Sequence, residues 1–348
     1  MSTSRYNAAL LSLTSLLAGL LLATGCNPSG GNPTDMGNPG DMGPGNGPPD
    51  MLTPADLGLP DLTSYAPTDD LVLTYNLTSS GLIPNTRIPI PTGSGTFNYD
   101  VDWDNDGVFD ELGVTGPTSR AMVSTGTYTI RIRGQFPHMD FSTVPLAESH
   151  KLVSVDQWGA IQWGSMSHMF SRCDNLQINA TDVPDLSNVT DMSWMFWKAA
   201  RVNADLSQWD VSNVTDMSHL FNGATSFNGD VTTWDVSNVT NMHGIFVGAR
   251  AFDQDISAWD VSNVTTLRSA FSGASAFDQP VGVWDTSSVT DMSRVFAEAT
   301  SFDQPLDQWD VSQVTDMSYM FFLASSFDRP LNAWDTSSVT NMERMFQR

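Results

Sequence analysis

A tryptophan returns every 25 residues along the second half of the chain, at Trp209, Trp234, Trp259, Trp284, Trp309 and Trp334. A constant step of this size confines the chain to an architecture in which each repeat forms one coil laid upon the last. The unit is LSQWDVSNVT (206–215) followed by DMSHLFNGATSF (216–227). Behind Thr215, Met217, Leu220, Phe221 and Ala224 fall at the i, i+3, i+4, i+7 spacing of an amphipathic helix about two turns long. Thr215 is placed to cap its start, Asp216 to meet its dipole and Gly223 to end it. The return from Phe227 to Trp234 reads as a short extended strand. The expected fold class is therefore an α/β repeat solenoid, one short strand and one short helix per coil.

Down the chain each position of the unit holds one kind of residue. The Phe221 position is Phe170, Phe196, Phe246, Phe271, Phe296, Phe321 and Phe346 in the other coils, and the Ala224 position is Cys173 in the first. These columns read as core, and Cys173 as a small buried space-filler. No coil buries enough by itself to offset its own ordering, so stability must come from contacts between coils. Asp210 and its equivalents Asp235, Asp260, Asp285, Asp310 and Asp335 form an acidic column. Carboxylates stacked about 4.8 Å apart repel by roughly 1 to 3.5 kcal/mol, depending on the local dielectric. Either each accepts backbone N–H bonds from the following turn, or the row holds Ca²⁺ between coils.

The chain has 348 residues and a formal net charge of −24, which excludes nucleic acid and anionic lipid head groups as partners and favours cations or basic surfaces. Residues 1–26 combine Arg5, an apolar run from Ala8 to Ala23 and the ending Ala23-Thr24-Gly25-Cys26, the pattern of an export signal. That ending resembles the lipobox of bacterial lipoproteins, although Ala23 stands where leucine is usual. The resemblance implies Cys26 as the lipidated mature N-terminus and, with Asn27 next, an outer-membrane destination where the cell has one. Residues 27–69 are rich in Gly, Pro, Asp and Met and read as a disordered tether.

Residues 70–137 alternate apolar and polar at period two between Gly, Pro and Asn breaks, giving a small all-β sandwich. The strand GTYTI (126–130) behind an acidic loop resembles the polycystic-kidney-disease-type (PKD-like) immunoglobulin-like module. In that loop Asp102, Asp104, Asp106 and Asp110 supply oxygen ligands at the spacing of a Ca²⁺ loop with a turn glycine at Gly107, while Gly113 stands where a bidentate Glu is expected. The loop is either a Ca²⁺ site or an Asx-rich turn, so the cofactor expectation is none beyond possible Ca²⁺. Residues 138–164 read as a bridge and N-terminal cap, with Trp158, Ile161 and Trp163 covering the core, and 165–348 as the repeats. The first coil departs from the rest, with Pro184 in the tryptophan position, and no cap follows the last.

The units WDVSNVTDMSHLFNGATSFN, WDTSSVTDMSRVFAEATSFDQP and WDVSQVTDMSYMFFLASSFDRP closely resemble the BspA-like leucine-rich-repeat surface proteins of bacteria. The family implies an LRR-like solenoid on a secreted or surface-anchored protein associated with adhesion, and it implies no catalytic residues. No nucleophile, base and orienting group converge in the sequence either, so no enzyme is expected. The position after Ser218 changes at every coil, through His168, Trp194, His219, Gly244, Ser269, Arg294, Tyr319 and Arg344. The candidate partner contacts are Trp194, Trp197, His219, Arg294, Tyr319 and Phe322, either anchors or scattered surface aromatics. The expected function is a lipid-anchored binding or adhesion module at the cell surface for a protein or glycan, touching the membrane through its anchor alone. The alternative is a structural envelope protein that self-associates through the repeats.

Overall fold

Tyr75 lies in the middle of the sheet that organises the first part of the fold, fully buried, its hydroxyl donating to the Pro89 carbonyl at 3.0 Å. The computed structural model describes residues 67–78 and 86–348, all within one compact unit. Of the signal and tether expected over 1–69, residues 1–66, Cys26 included, lie outside the described residues, while Pro67–Asp69 form a 3-10 turn. Strand β1 (Leu71–Leu77) is flanked by antiparallel β6 (Gly126–Gln135) and β7 (Leu152–Gln157). Outward from β6 lie β3 (Asn98–Asp102) and β4 (Glu111–Val114), and outward from β7 lies β8 (Gln177–Ile178), paired parallel. The order is β4-β3-β6-β1-β7-β8, with a second sheet of β2 (Arg87–Ile90) and β5 (Thr118–Ala121). Period-two alternation turns Leu71, Leu73, Tyr75 and Leu77 to the core, as the sequence pattern requires.

The main sheet does not stop near residue 137. Strand β7 follows the four-residue helix α1 (Leu146–Ser149), and β8 belongs to the first coil, so one ladder carries the sheet into the repeats. The apolar core is likewise continuous from Leu71 to Met345. Trp158 bridges the two parts, packed edge-on to Trp163 at 6.2 Å and to Trp209 at 5.3 Å.

The α/β solenoid expectation is overturned. Regular structure is strand, and α1 is the one α-helix among the described residues. The segment read as a helix in each coil is a run of tight turns. Leu220, Asn222 and Ala224 donate to carbonyls three positions back, whereas Met217, His219, Phe221 and Gly223 donate to Asn241, His243, Ile245 and Val247 of the next coil. Every second N–H is thus committed to a neighbour, which an α-helix cannot permit. Backbone torsions agree, since His219 has φ 56° and Gly223 φ 76°, and the left-handed conformation recurs at Trp194 and Lys198, Arg294 and Glu298, and Tyr319 and Leu323. Thr215 does not cap a helix: its N–H and hydroxyl both reach the Thr190 carbonyl, and Asp216 accepts from Ser218 N–H at 2.7 Å. Nor is Phe227 to Trp234 a strand. The β ladder of the repeats is one residue wide and runs through Asp191, Asp216, Asn241, Thr266, Asp291, Asp316 and Asn341 in parallel bridges.

What ties the coils together is a set of side-chain columns. Phe196, Phe221, Phe246, Phe271, Phe296 and Phe321 have neighbouring ring centroids 5.5–5.8 Å apart. A second file, Phe227 to Phe327, repeats at 5.8–6.1 Å. Near-parallel rings at these separations are offset stacks. Asn203, Asn228, Asp253, Asp278 and Asp303 each accept, through Oδ1, the N–H of the equivalent residue one coil on. The Asp210 column does something else. Asp210, Asp235, Asp260, Asp285, Asp310 and Asp335 each accept the N–H of the residue two positions later, at 2.9–3.1 Å. Hydrogen bonds from the serine hydroxyl two positions on, then from its N–H, hold the Asp210, Asp260 and Asp335 carboxyls below the ordinary carboxylate range, and at Asp310 the N–H leads. Asn213, Asn238 and Asn263 donate to serine carbonyls of the preceding coil. Cys173 is buried, and burial pushes its thiol pKa well up.

Candidate functional site

The site residues expected from the sequence fall into two groups among the described residues. The first is the loop that leaves β3. Asp102 ends the strand with its carboxylate buried, accepting the N–H groups of Asp104 and Asn105 on Oδ1 at 3.3 and 2.7 Å and of Gly107 on Oδ2 at 2.9 Å. Asp106 accepts from Val108 N–H at 2.8 Å. The turn passes through left-handed Asn105 (φ 60°) and Gly107 (φ 88°), bringing one oxygen each of Asp102, Asp104 and Asp106 within 4.8 Å of one another. Desolvation, then the charges of Asp106, Asp110 and Asp102, raise the Asp104 carboxyl above its ordinary pKa. Three convergent carboxylate oxygens are a hard-cation donor set, and a dication would relieve that mutual repulsion. Asp110, expected as the fourth ligand, is not among them. Its Oδ2 accepts Trp103 N–H at 3.0 Å and pairs with Arg120 at 2.8 Å, which turns it to closing the loop.

The second group stands on the turn face of the coils, in and beside the two left-handed columns. Such residues carry their side chains away from the core because the adjacent positions, such as Leu220 and Phe221, fill it. The Trp194 ring stacks on His219 at 3.9 Å and lies parallel to His168 at 6.0 Å, with Trp197 edge-on at 5.3 Å. Lys198 and Arg172 approach the Trp197 ring at 4.8 and 5.9 Å, within reach of a cation–π contact. His219 Nδ1 meets the Asn222 amide at 2.9 Å, and its ring lies 4.4 Å from that of His243. Burial and the neighbouring His243 push the His219 pKa down to about 4, and burial and Arg268 lower that of His243.

Farther along, Arg294 covers the Tyr319 ring at 4.2 Å, Arg344 approaches it at 5.7 Å and Phe322 meets it edge-on at 5.5 Å. Between the clusters the same columns hold Gly244, Ser269, Gly248 and Gly273. Trp194 and Tyr319 are five coils apart, on the order of 24 Å at one strand spacing per coil. All six expected contact residues therefore lie on one face, gathered into two clusters rather than scattered. Sequence reasoning missed Arg172, Lys198 and His243. The signal was available in the column four positions after the variable one, where Arg172 and Lys198 stand in place of Gly223, Gly248 and Gly273.

Stacked units of near-identical length, with one face variable from coil to coil, define a repeat protein. The family model described as "Mycoplasma protein of unknown function, DUF285" matches residues 164–284 and 251–348. These matches span more than half of the chain, which belongs to that family. No curated protein and no solved structure matches it.

Proposed function

We propose that this repeat protein is an exported, lipid-anchored binding module whose turn face engages a protein or glycan of a cell surface or matrix. The observation that carries the reading is the contrast between columns. The aromatic core columns repeat one residue type for structural reasons, whereas the turn face sets aromatic rings beside cationic groups at two places and small residues between them. Half-buried tryptophan, tyrosine and arginine are the side chains that anchor macromolecular interfaces. The acidic loop adds a Ca²⁺ site at Asp102, Asp104 and Asp106. Anchoring at Cys26 rests on the N-terminal sequence, and mass spectrometry of the mature protein checks it: a diacylglyceryl-modified cysteine is expected, and an unmodified chain beginning beyond Cys26 removes the anchor.

The binding reading is tested by immobilising the full chain and passing solubilised surface and matrix fractions over it, beside a Trp194→Ala/Trp197→Ala variant and a Tyr319→Ala/Phe322→Ala variant. Retention lost in either variant, with unchanged circular dichroism, supports it. Retention indifferent to both sinks it.

A further inference from the structure

We infer a saccharide site in a cleft on the outer face of the main sheet, where β1, β7 and β8 run side by side between α1 and the second coil, and assign to it a polyhydroxyl unit bearing a carboxylate. The cleft has a volume of about 590 Å³. The described residues of its wall include no Asp or Glu, in a chain that has 39 of them. The described wall thus offers a divalent cation no carboxylate ligand.

Four carboxamides supply most of the wall's chemistry: Asn76, Asn175, Gln177 and Asn179. Asn175 donates to the His150 carbonyl at 2.8 Å and Asn179 to Asp156 at 3.3 Å, which orients both amides and leaves their Oδ1 atoms as open acceptors. The Asn76 and Gln177 side chains make no hydrogen bond among the described residues. Paired donors and acceptors at fixed places match vicinal hydroxyls, each of which donates and accepts.

The cations divide unequally. Lys151 Nζ is committed to the Arg87 carbonyl at 2.7 Å and to Glu148 at 2.8 Å, and His150 faces Asp174 at 3.2 Å. Arg201 is exposed and has no ion pair among the described residues, so one planar guanidinium fork stands ready for one carboxylate. One unpaired cation among the described residues is too little for a phosphate-rich polyanion, and a wall this polar does not suit an apolar ligand. The site is separate from the turn face, so either can fail without the other.

The test is calorimetric titration of the full chain with an oligogalacturonate, a neutral oligosaccharide of equal length and tricarballylate, a polycarboxylate without hydroxyls. The acidic oligosaccharide should bind, the neutral one about tenfold more weakly, and tricarballylate not measurably. Arg201→Gln should reduce the acidic ligand to the neutral one's level, Gln177→Ala should weaken both, and Trp194→Ala/Trp197→Ala should change neither. The inference is overturned by any of four results: no binding at millimolar oligogalacturonate, equal affinity in Arg201→Gln, tricarballylate binding as well as the saccharide, or loss of binding in the tryptophan variant.

Discussion

The Trp259 indole donates its Nε1–H to the carbonyl of Val231, 28 positions earlier and one coil below, at 3.1 Å. The same bond joins Trp234 to Leu206, Trp284 to Ile256, Trp309 to Val281 and Trp334 to Leu306. The tryptophan column is thus a polar tie as well as a packing file. Trp259→Phe keeps most of the apolar area but removes one of the two hydrogen bonds to the Val231 carbonyl, which also accepts Trp234 N–H at 3.2 Å, at a cost of about 0.5–1.5 kcal/mol. Trp259→Ala loses the ring too and should cost about 3–5 kcal/mol. Urea unfolding of both variants checks the order, and a Phe variant as stable as the parent would show the bond to be idle.

Gly244 is the glycine on which the first turn-face cluster closes. It has φ 62°, and a Cβ there would come within 2.6 Å of His219 Nδ1. Gly244→Ala must move the imidazole off Trp194 and also bears the left-handed backbone penalty, roughly 1 kcal/mol or more. Ser269→Ala, at the same position one coil on, should change stability by less than about 0.5 kcal/mol. Thermal melts compare the two.

Acid should loosen the His219–His243 pair. The fold lowers the His219 pKa from 6.5 to about 4, so the native state binds fewer protons than the unfolded chain. Its contribution is complete above 6.5 and is lost as pH falls toward about 4. The Asx-turn carboxyls of Asp210, Asp260, Asp310 and Asp335 act lower, because their folded pKa values lie below 3.8. Melting midpoints from pH 7 to 4 should fall for the parent and less steeply for His219→Gln/His243→Gln. Parallel profiles would rule out the pair as the source.

Calcium should raise the melting midpoint and EDTA should reverse the rise, through Asp102, Asp104 and Asp106. Asp104→Asn should abolish the response. Asp110→Asn, which breaks the Arg120 pair instead, should lower stability while leaving the response in place. If Asp104→Asn responds to calcium like the parent, the ion binds elsewhere.

The columns were legible because identity at a fixed step is a statement about packing: Phe221, Phe246 and Phe271 could hardly repeat every 25 residues without lying together. The helix was misread because i, i+3, i+4, i+7 spacing also arises when tight turns are punctuated by left-handed residues. His219 and Gly223 break the helix in torsion without breaking its apolar pattern. Asp102, Asp104 and Asp106 were readable because alternate positions in a tight turn share a side. Asp110 was not, since its fate is set by Arg120 across the loop. The cleft joins Asn76 to Arg201 through a sheet that crosses between the two parts of the chain, and no local pattern announces such a meeting.

The alternation of bonds in the turns has a mechanical consequence. Because Thr215 reaches back to one neighbour while Met217, His219, Phe221 and Gly223 reach forward to the other, no coil can peel away without breaking a whole rung at once. Pulled from its C-terminal end, the stack should yield in equal steps, each releasing one 25-residue coil, or roughly 8–9 nm of contour. Such a tether would lengthen under load by increments while the rungs nearer the sheet stayed whole.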